Sequence, residues 1–469
     1  MSAKKYITTT LPYVNADPHI GFAMEIVQAD VIARMWRQQG YEVVFNTGTD
    51  EHGQKIYQKA LAANQDVQTY CDEYAKKFND LKAVFNLSYT HFIRTTDKKH
   101  IAAAQEFWNR CFNNGDIYKK IYQTKYCVGC ELEKTDSDLV NGQCPLHPKN
   151  TIELRDEKNY FFAFSKYQQP LLELYKKQPN FVLPESKFNE IKQFVGAGLQ
   201  DFSISRLKEK MPWGIPVPND PDHVMYVWFD ALINYISTID WPNGNWQNWW
   251  PGIQVAGKDN LRQQSAMWQA MLLSAHIPLS KRIIIHGFIT SNGQKMSKSL
   301  GNVVDPYEMI KKYGVDAVRY YLLREIPTLD DGDFSEHRMK ELYNSDLANE
   351  LGNCVSRVTT LAAQDGLSVE KIVYQLPTEQ AKKIESFHLN DVLISIWEEV
   401  KRLNKKINEE TPWSKPPEER RTFLINSLNE LQKIGNDLYP FLPSASEIII
   451  SGTSGTISKV PPLFPRLSK

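Results

Sequence analysis

The sequence predicts an α/β chain: a parallel sheet of the nucleotide-binding kind, split by a zinc-binding insertion and followed by an α-helical bundle. Three observations predict it. A strand–helix–strand pattern fills residues 6–46, and another apolar strand run, Ile283–Ile285, stands far downstream. Between them, Cys127, Cys130, Cys144 and His147 have the spacing of a zinc knuckle. From about residue 337 strand signals fade and long helical patterns take over.

Taken in order, Tyr6–Thr10 is β-branched and reads as the first strand, which Leu11-Pro12-Tyr13 ends. A helical stripe follows, with Ala23, Val27, Val31 and Met35 in line, Ile32 and Trp36 beside them, and Gly40 as a left-handed cap. Glu42–Asn46 is the second strand, completing a βαβ unit and therefore a parallel sheet. His19 and Gly21 stand where the intervening loop meets the helix N-terminus. That is an anion-favouring place, where glycine admits close approach and an imidazole can donate to phosphate oxygens.

The zinc knuckle offers four ligands from two turns, Cys-x2-Cys and then Cys-x2-His. With all four positions filled, no site is left for a reacting water, so the expected zinc is structural. Downstream, the buried strand at Ile283–Ile285 leads into a loop carrying Lys295, Met296, Ser297, Lys298 and Ser299 between Gly293 and Gly301. Two ammonium groups three residues apart can grip a polyphosphate as point charges. Next, residues 315–324 read as a helix and 330–334 as a turn.

A chain of 469 residues has room for several domains, and 42% hydrophobic with 23% charged residues describes an ordinary soluble globular protein. With 55 basic and 55 acidic residues the net charge is zero, so any nucleic-acid surface must be a local patch. No signal-like or presequence-like segment opens the chain, and no apolar run reaches membrane-spanning length. Six cysteines, three of them clustered, suit a reduced cytosolic protein with one metal site better than a disulfide framework.

The Lys295-Met-Ser-Lys-Ser299 string, continued by Leu-Gly-Asn-Val-Val-Asp-Pro, resembles the signature loop of class I aminoacyl-tRNA synthetases. His19-Ile-Gly-Phe22 is similar to their other signature, His-Ile-Gly-His, with phenylalanine in place of the second histidine. Within that class, residues 10–21, the Gly48–Gly53 run, Asp201–Arg206, Trp213–Pro218 and Tyr226–Ala231 resemble the methionyl-tRNA synthetase family. The matches run from residue 8 to past residue 410.

The resemblance implies a Rossmann-type catalytic domain and a ligase that activates L-methionine with ATP and Mg²⁺ before acylating tRNA(Met). It places His19, Lys295 and Lys298 at the phosphates, with Gly21, Met296, Ser297 and Ser299 around the nucleotide. Leu11, Tyr13, Trp228, Tyr235 and Gln264 fall on the methionine pocket, Gln264 standing where many relatives have histidine, and Asp50 on the residue that holds the amino group. Asn353, Arg357 and Trp413 fall on the anticodon readers. Asn353 and Arg357, four apart, share a helix face, while Trp413 follows a helix that ends near Glu410. The expected divisions are a catalytic first half at 1–114, the insertion at 115–222 and a catalytic second half at 223–285. A signature-loop and stem-contact region at 286–340 and a bundle at 341–469 complete them. A cytoplasmic monomer is expected, with no membrane association. Two rivals stay open: a catalytically weakened tRNA-binding relative, motivated by Phe22 and Gln264, and a class I synthetase of other specificity.

Overall fold

The computed structural model describes residues 3–127, 132–134, 139–145, 148, 152–291, 293–296 and 301–467. Three strands of the amino-terminal third, β1 (Lys4–Thr9), β2 (Glu42–Thr49) and β3 (His91–Arg94), pair in parallel in the order β3-β2-β1. On the other side of β1 the sheet continues with Ile253–Gly257, Arg282–His286 and Val182–Leu183, again all parallel. The chain thus builds outward from β1 in one direction and then returns to build in the other. Strand order reverses at β1, which opens a crevice at the carboxyl ends of the strands, where ligands of such sheets bind.

β2 runs past Asn46, where the pattern ends it, to Thr49. A Cβ at Gly48 would lie 1.8 Å from the carbonyl oxygen of Ile93. Only glycine allows β2 and β3 this approach. The edge strand Val182–Leu183 comes from inside the interval assigned to the insertion. Two residues carry no period, so no pattern could reveal it. The interval also holds a long antiparallel ribbon, Ile117–Cys127 with Ile152–Phe162, and the helices Gln168–Lys177 and Glu185–Gly196. The segment after His286, read as a loop, forms a small hairpin: Ile289–Ser291 pairs with Gln294–Lys295 across Gly293, which has φ +73. Gly332–Phe334, read as part of a turn, adds a third strand.

Helix α1 (Ile20–Gln38) buries fifteen of its nineteen residues, Glu25, Gln28, Asp30 and Arg34 among them. It is enclosed because β1 and β2 cover one side while helices Val315–Arg324 and Thr378–Glu385 cover the other. Gly40, with φ +84, follows as the left-handed residue expected there. The carboxy-terminal bundle is built mainly from Asn353–Gln364, Leu389–Glu410 and Pro417–Leu438. Trp36 Nε1 donates to Glu385 at 2.9 Å and the Gln38 amide to the Asn436 carbonyl at 2.8 Å, so α1 is bonded to that bundle directly. Among the described residues no helix is long and apolar enough to cross a membrane.

At the centre of this packing is a buried charge cluster. Asp30 Oδ2 meets Arg34 Nε at 2.8 Å and Arg319 Nη2 at 2.9 Å, while Oδ1 accepts from Ser88 N and Oγ at 2.7 and 2.6 Å. Arg319, fully buried, also donates to the carbonyls of Phe441, Phe85 and Pro440. Burial alone would raise the Asp30 pKa; the Arg319 and Arg34 charges outweigh it and hold the carboxyl below its ordinary range. One carboxylate therefore joins α1, the helix after the signature loop and the bundle. Removing one partner of a buried ion pair leaves an uncompensated charge, which costs about 3–5 kcal/mol. Asp30→Asn should lower unfolding stability in urea on that scale, and a change under about 1 kcal/mol would show that the cluster is solvated.

Candidate active site

Two adjoining cavities open at the carboxyl ends of the strands, sharing Pro12, Tyr13, Asp259 and Asn260. The inner one, of about 280 Å³, is lined by Leu11, Tyr13, Asp50, Trp228, Tyr235 and Gln264. All six expected substrate residues meet there, though they come from four separate stretches of chain. Asp50 ends β2 and Tyr13 follows β1; the two backbones pair as an isolated bridge, and Asp50 N donates to the Pro12 carbonyl at 2.9 Å. Trp228, on the short helix Val227–Ala231, is half-buried, which suits a cavity wall better than a core position.

Asp50 is 3% exposed and its Oδ1 has no hydrogen-bond partner. Its pKa is raised well above the ordinary carboxylate value, by burial first and then by the charge of nearby Asp230. A cationic group brought to this oxygen would reverse both effects. Asp230 is compensated already: His52 Nδ1 approaches it at 2.7 Å and His100 Nε2 at 2.8 Å, and the imidazoles hold its carboxyl below its ordinary pKa despite burial. Sequence reasoning assigned no role to Glu51, His52, His100 or Asp230. The available signal was charged and imidazole side chains inside otherwise apolar or strand-ending runs.

Gln264 donates to the Tyr235 hydroxyl at 2.6 Å and accepts from the Gln254 amide at 3.0 Å. An amide can donate and accept at once, so glutamine here bridges both neighbours and leaves the Tyr235 hydroxyl hydrogen available. Tyr235 also packs edge-on against Trp268, with ring centroids 5.9 Å apart.

The outer cavity, of about 460 Å³, contains His19, Gly21, Phe22, Glu25, His286 and Met296 in its lining. His19 is the N-cap of α1, in extended conformation, and its carbonyl accepts from Phe22 N and Ala23 N. Surrounding protein lowers the pKa of its imidazole by desolvation. A Cβ at Gly21 would lie 2.9 Å from Ile289 Cγ2, so glycine there serves the packing of the hairpin on α1 as well as access to the cavity. Phe22 sets its edge on Phe78, with centroids 5.1 Å apart, where a second histidine would otherwise face the cavity.

Lys295 is placed on the hairpin strand Gln294–Lys295. Ser297, Lys298 and Ser299 lie outside the described residues, as do Cys130 and His147. Cys127 and Cys144, the other two expected zinc ligands, are fully buried, an environment that fits a closed structural site. Among the described residues, no group of three or more His, Cys, Asp or Glu could hold a metal ion.

In the bundle, Asn353 and Arg357 share a face of their helix and line a third cavity, of about 530 Å³, with Asn408. The Arg357 guanidinium bonds Asn408 at 2.9 Å and lies 4.8 Å over the Trp413 ring. Thr411, with φ +41, turns the chain out of the preceding helix, and Trp413 is left 50% exposed. That exposure separates Trp413 from an ordinary packing tryptophan.

A parallel sheet whose order reverses beside paired cavities, with a histidine at a helix N-terminus and a lysine-bearing hairpin across from it, defines a class I synthetase catalytic domain. A family model described as tRNA synthetases class I (M) matches residues 5–151 and 147–359. The methionine–tRNA ligase of Thermotoga maritima is 42% identical over 96% of this chain and 75% of its own length. That of Thermosynechococcus vestitus is also 42% identical, over 96% of this chain and 90% of its own. Mycobacterium tuberculosis methionyl-tRNA synthetase in complex with methionyl-adenylate superposes with a TM-score of 0.88 at 34% identity, covering 99% of this chain and 100% of that one. The chain belongs to the methionyl-tRNA synthetase family.

One buried contact in the outer cavity yields a pH-dependent expectation. Glu25 accepts from Thr10 N and Oγ1 at 2.7 and 2.6 Å and from His286 Nε2 at 2.8 Å, while His286 Nδ1 donates to the Gly287 carbonyl at 2.8 Å. Donation from both ring nitrogens is the bonding of an imidazolium. Burial alone would lower the His286 pKa, but Glu25 outweighs it and raises it. A histidine pKa raised in the folded state stabilises fully below the unfolded value, and that stability is lost as pH rises through the folded value. Glu25→Gln should therefore cost more stability at acidic than at alkaline pH and should lower the imidazole pKa seen by NMR. Equal costs at both pH values would contradict the charged pair.

Proposed function

We propose that the two cavities carry out the two halves of methionine activation by this methionine–tRNA ligase. The inner cavity takes the amino acid: Asp50 pairs with its ammonium group, and Tyr13, Trp228, Tyr235 and Leu11 enclose its side chain, aromatics being good partners for a polarizable thioether. The outer cavity takes ATP. Methionine carboxylate attacks the α-phosphorus, the bond to the bridging oxygen breaks and pyrophosphate leaves; the adenylate then acylates the terminal ribose of tRNA(Met). Protein groups position and neutralise. His19 donates to phosphate oxygens, and Lys295 and Lys298 supply the charges of the signature loop. Mg²⁺ accompanies ATP as charge neutralisation for the phosphates.

The observation that carries this reading is the unpartnered Asp50 oxygen in a buried cavity lined by all six expected residues. The rival of a silent tRNA-binding relative loses ground because Gln264 is fully bonded into the inner wall. The departure at Phe22 leaves His19 as the imidazole of that turn. In the bundle, Trp413 stacks on an anticodon base while Asn353 and Arg357 bond base edges. Cys127, Cys130, Cys144 and His147 hold one structural zinc. A cytoplasmic monomer is the accompanying expectation.

The test is amino-acid-dependent ATP–pyrophosphate exchange across a panel of amino acids, with zinc measured on the same protein. Methionine alone should support exchange, and one zinc per chain should be found. His19→Ala should slow exchange by roughly a hundred- to thousandfold while methionine affinity holds, the cost of losing one donor from a preorganised charge site. Exchange with leucine but not methionine would overturn the specificity, and folded protein without any exchange would favour the silent relative.

A further inference from the structure

Resting on that reading of Asp50, we propose that Glu51 and Arg94 form a positioning pair that holds the Asp50 carboxylate ready for the ammonium group of methionine. Asp50 and Glu51 follow directly on the end of β2 and have different surroundings. Asp50 lines the inner cavity, and Glu51, fully buried, does not.

Every polar group of Glu51 is held. Its carboxylate accepts from Arg94 Nε at 2.7 Å and Nη2 at 2.8 Å, from Thr49 Oγ1 at 2.6 Å and from Thr96 Oγ1 at 2.5 Å. Its backbone nitrogen donates to Thr95 Oγ1 at 2.9 Å, and its carbonyl accepts from Trp213 Nε1 at 2.6 Å. Arg94 reaches on to Asp72 at 2.6 Å, which fixes the fork from outside. A bidentate arginine–carboxylate pair fixes orientation as well as charge. The contrast with Asp50, whose Oδ1 has no partner, is the basis of the proposal.

Charge balance gives the pair a second effect. The carboxylates of Asp230 and Glu51 both lie close enough to raise the pKa of Asp50. Asp230 is matched by His52 and His100, and Glu51 by Arg94, so Asp50 is the carboxylate of the three left to be matched by a ligand. The groups around it are Tyr13 from the loop after β1, Glu51 and His52 from the end of β2, and Asp230 from the helix at 227–231. Behind these stand Arg94 on β3, Asp72 and His100 on flanking helices, and Arg206, whose guanidinium lies 4.3 Å over the Tyr226 ring.

The experiment is methionine-dependent ATP–pyrophosphate exchange as a function of pH in the full chain. It compares the wild type with Asp50→Asn, Arg94→Met, Arg94→Lys and Glu51→Gln, each checked for folding by circular dichroism. Arg94→Met should raise KM for methionine roughly tenfold, the scale of one charged hydrogen bond, with kcat little changed. In the wild type, methionine affinity falls as pH drops and Asp50 takes up a proton. Arg94→Met leaves Glu51 unbalanced and should move that acid limb to higher pH. Glu51→Gln leaves Arg94 unbalanced and should move it to lower pH. Arg94→Lys keeps the charge without the fork, so KM should rise while the limb stays in place; this variant carries the test if Arg94→Met does not fold. Limbs that move together, or limbs and KM that do not move in any folded Arg94 variant, would overturn the proposal. A wild type that gives no exchange with methionine would instead overturn the functional reading on which it rests.

Discussion

A carboxylate buried with one oxygen unpartnered is expensive, and the active site is arranged around keeping one in that state. Desolvation and the Asp230 charge both disfavour ionised Asp50. The group can persist there because the end of β2 is bonded on both sides and cannot turn the side chain out to water. Pro12 takes the Asp50 N–H, Arg94 and three threonines fix Glu51, and Asp230 engages His52. On the proposed reading, binding selectivity follows from this frustration. A ligand carrying an ammonium group gains a salt bridge and also relieves a cost that the empty site already bears.

Helix α1 extends the same logic across the molecule. At its first turn His19 faces the outer cavity; at Glu25 it ties the end of β1 to His286 at the end of another strand. One turn and a half further on, Asp30 holds Arg319 and through it the Pro440 and Phe441 carbonyls, which lead into the last helix of the bundle, Pro443–Gly452. Trp36 and Gln38 then reach the bundle itself. A helix buried on all sides transmits displacement poorly by bending and well by moving as a body. The outer-cavity end of the site and the carboxy-terminal bundle are thus attached to one buried element.

Much of this was legible in sequence because the chemistry sits in short, contiguous strings. Gly21, His19 and the strand–helix turn could be read locally, as could the strand at Ile283–Ile285 and the shared face of Asn353 and Arg357. The inner cavity was different. Leu11, Asp50, Trp228 and Gln264 share no local pattern, and only resemblance to a family brought them together before the structure did. What stayed hidden has a common physical cause. Asp30 and Arg319 are charged residues on helices whose apolar stripes dominate the period, so no pattern marks either as buried, and their pairing spans most of the chain. Glu51 and Arg94 carried no signal because they stand at the ends of two different strands and meet only when the sheet forms. The last residues of β2 carried no signal because a glycine required by a close backbone approach looks, in sequence, like one required by a turn.

The central claim is that Asp50 waits in a state that favours a proton until methionine supplies a better cation. Calorimetric titration with methionine in two buffers of different ionisation enthalpy counts protons directly. The account predicts proton release on binding that grows as pH is lowered through the raised Asp50 pKa, and its disappearance in Asp50→Asn. Binding with no proton release at any pH in the wild type, or the same release in Asp50→Asn, would contradict it.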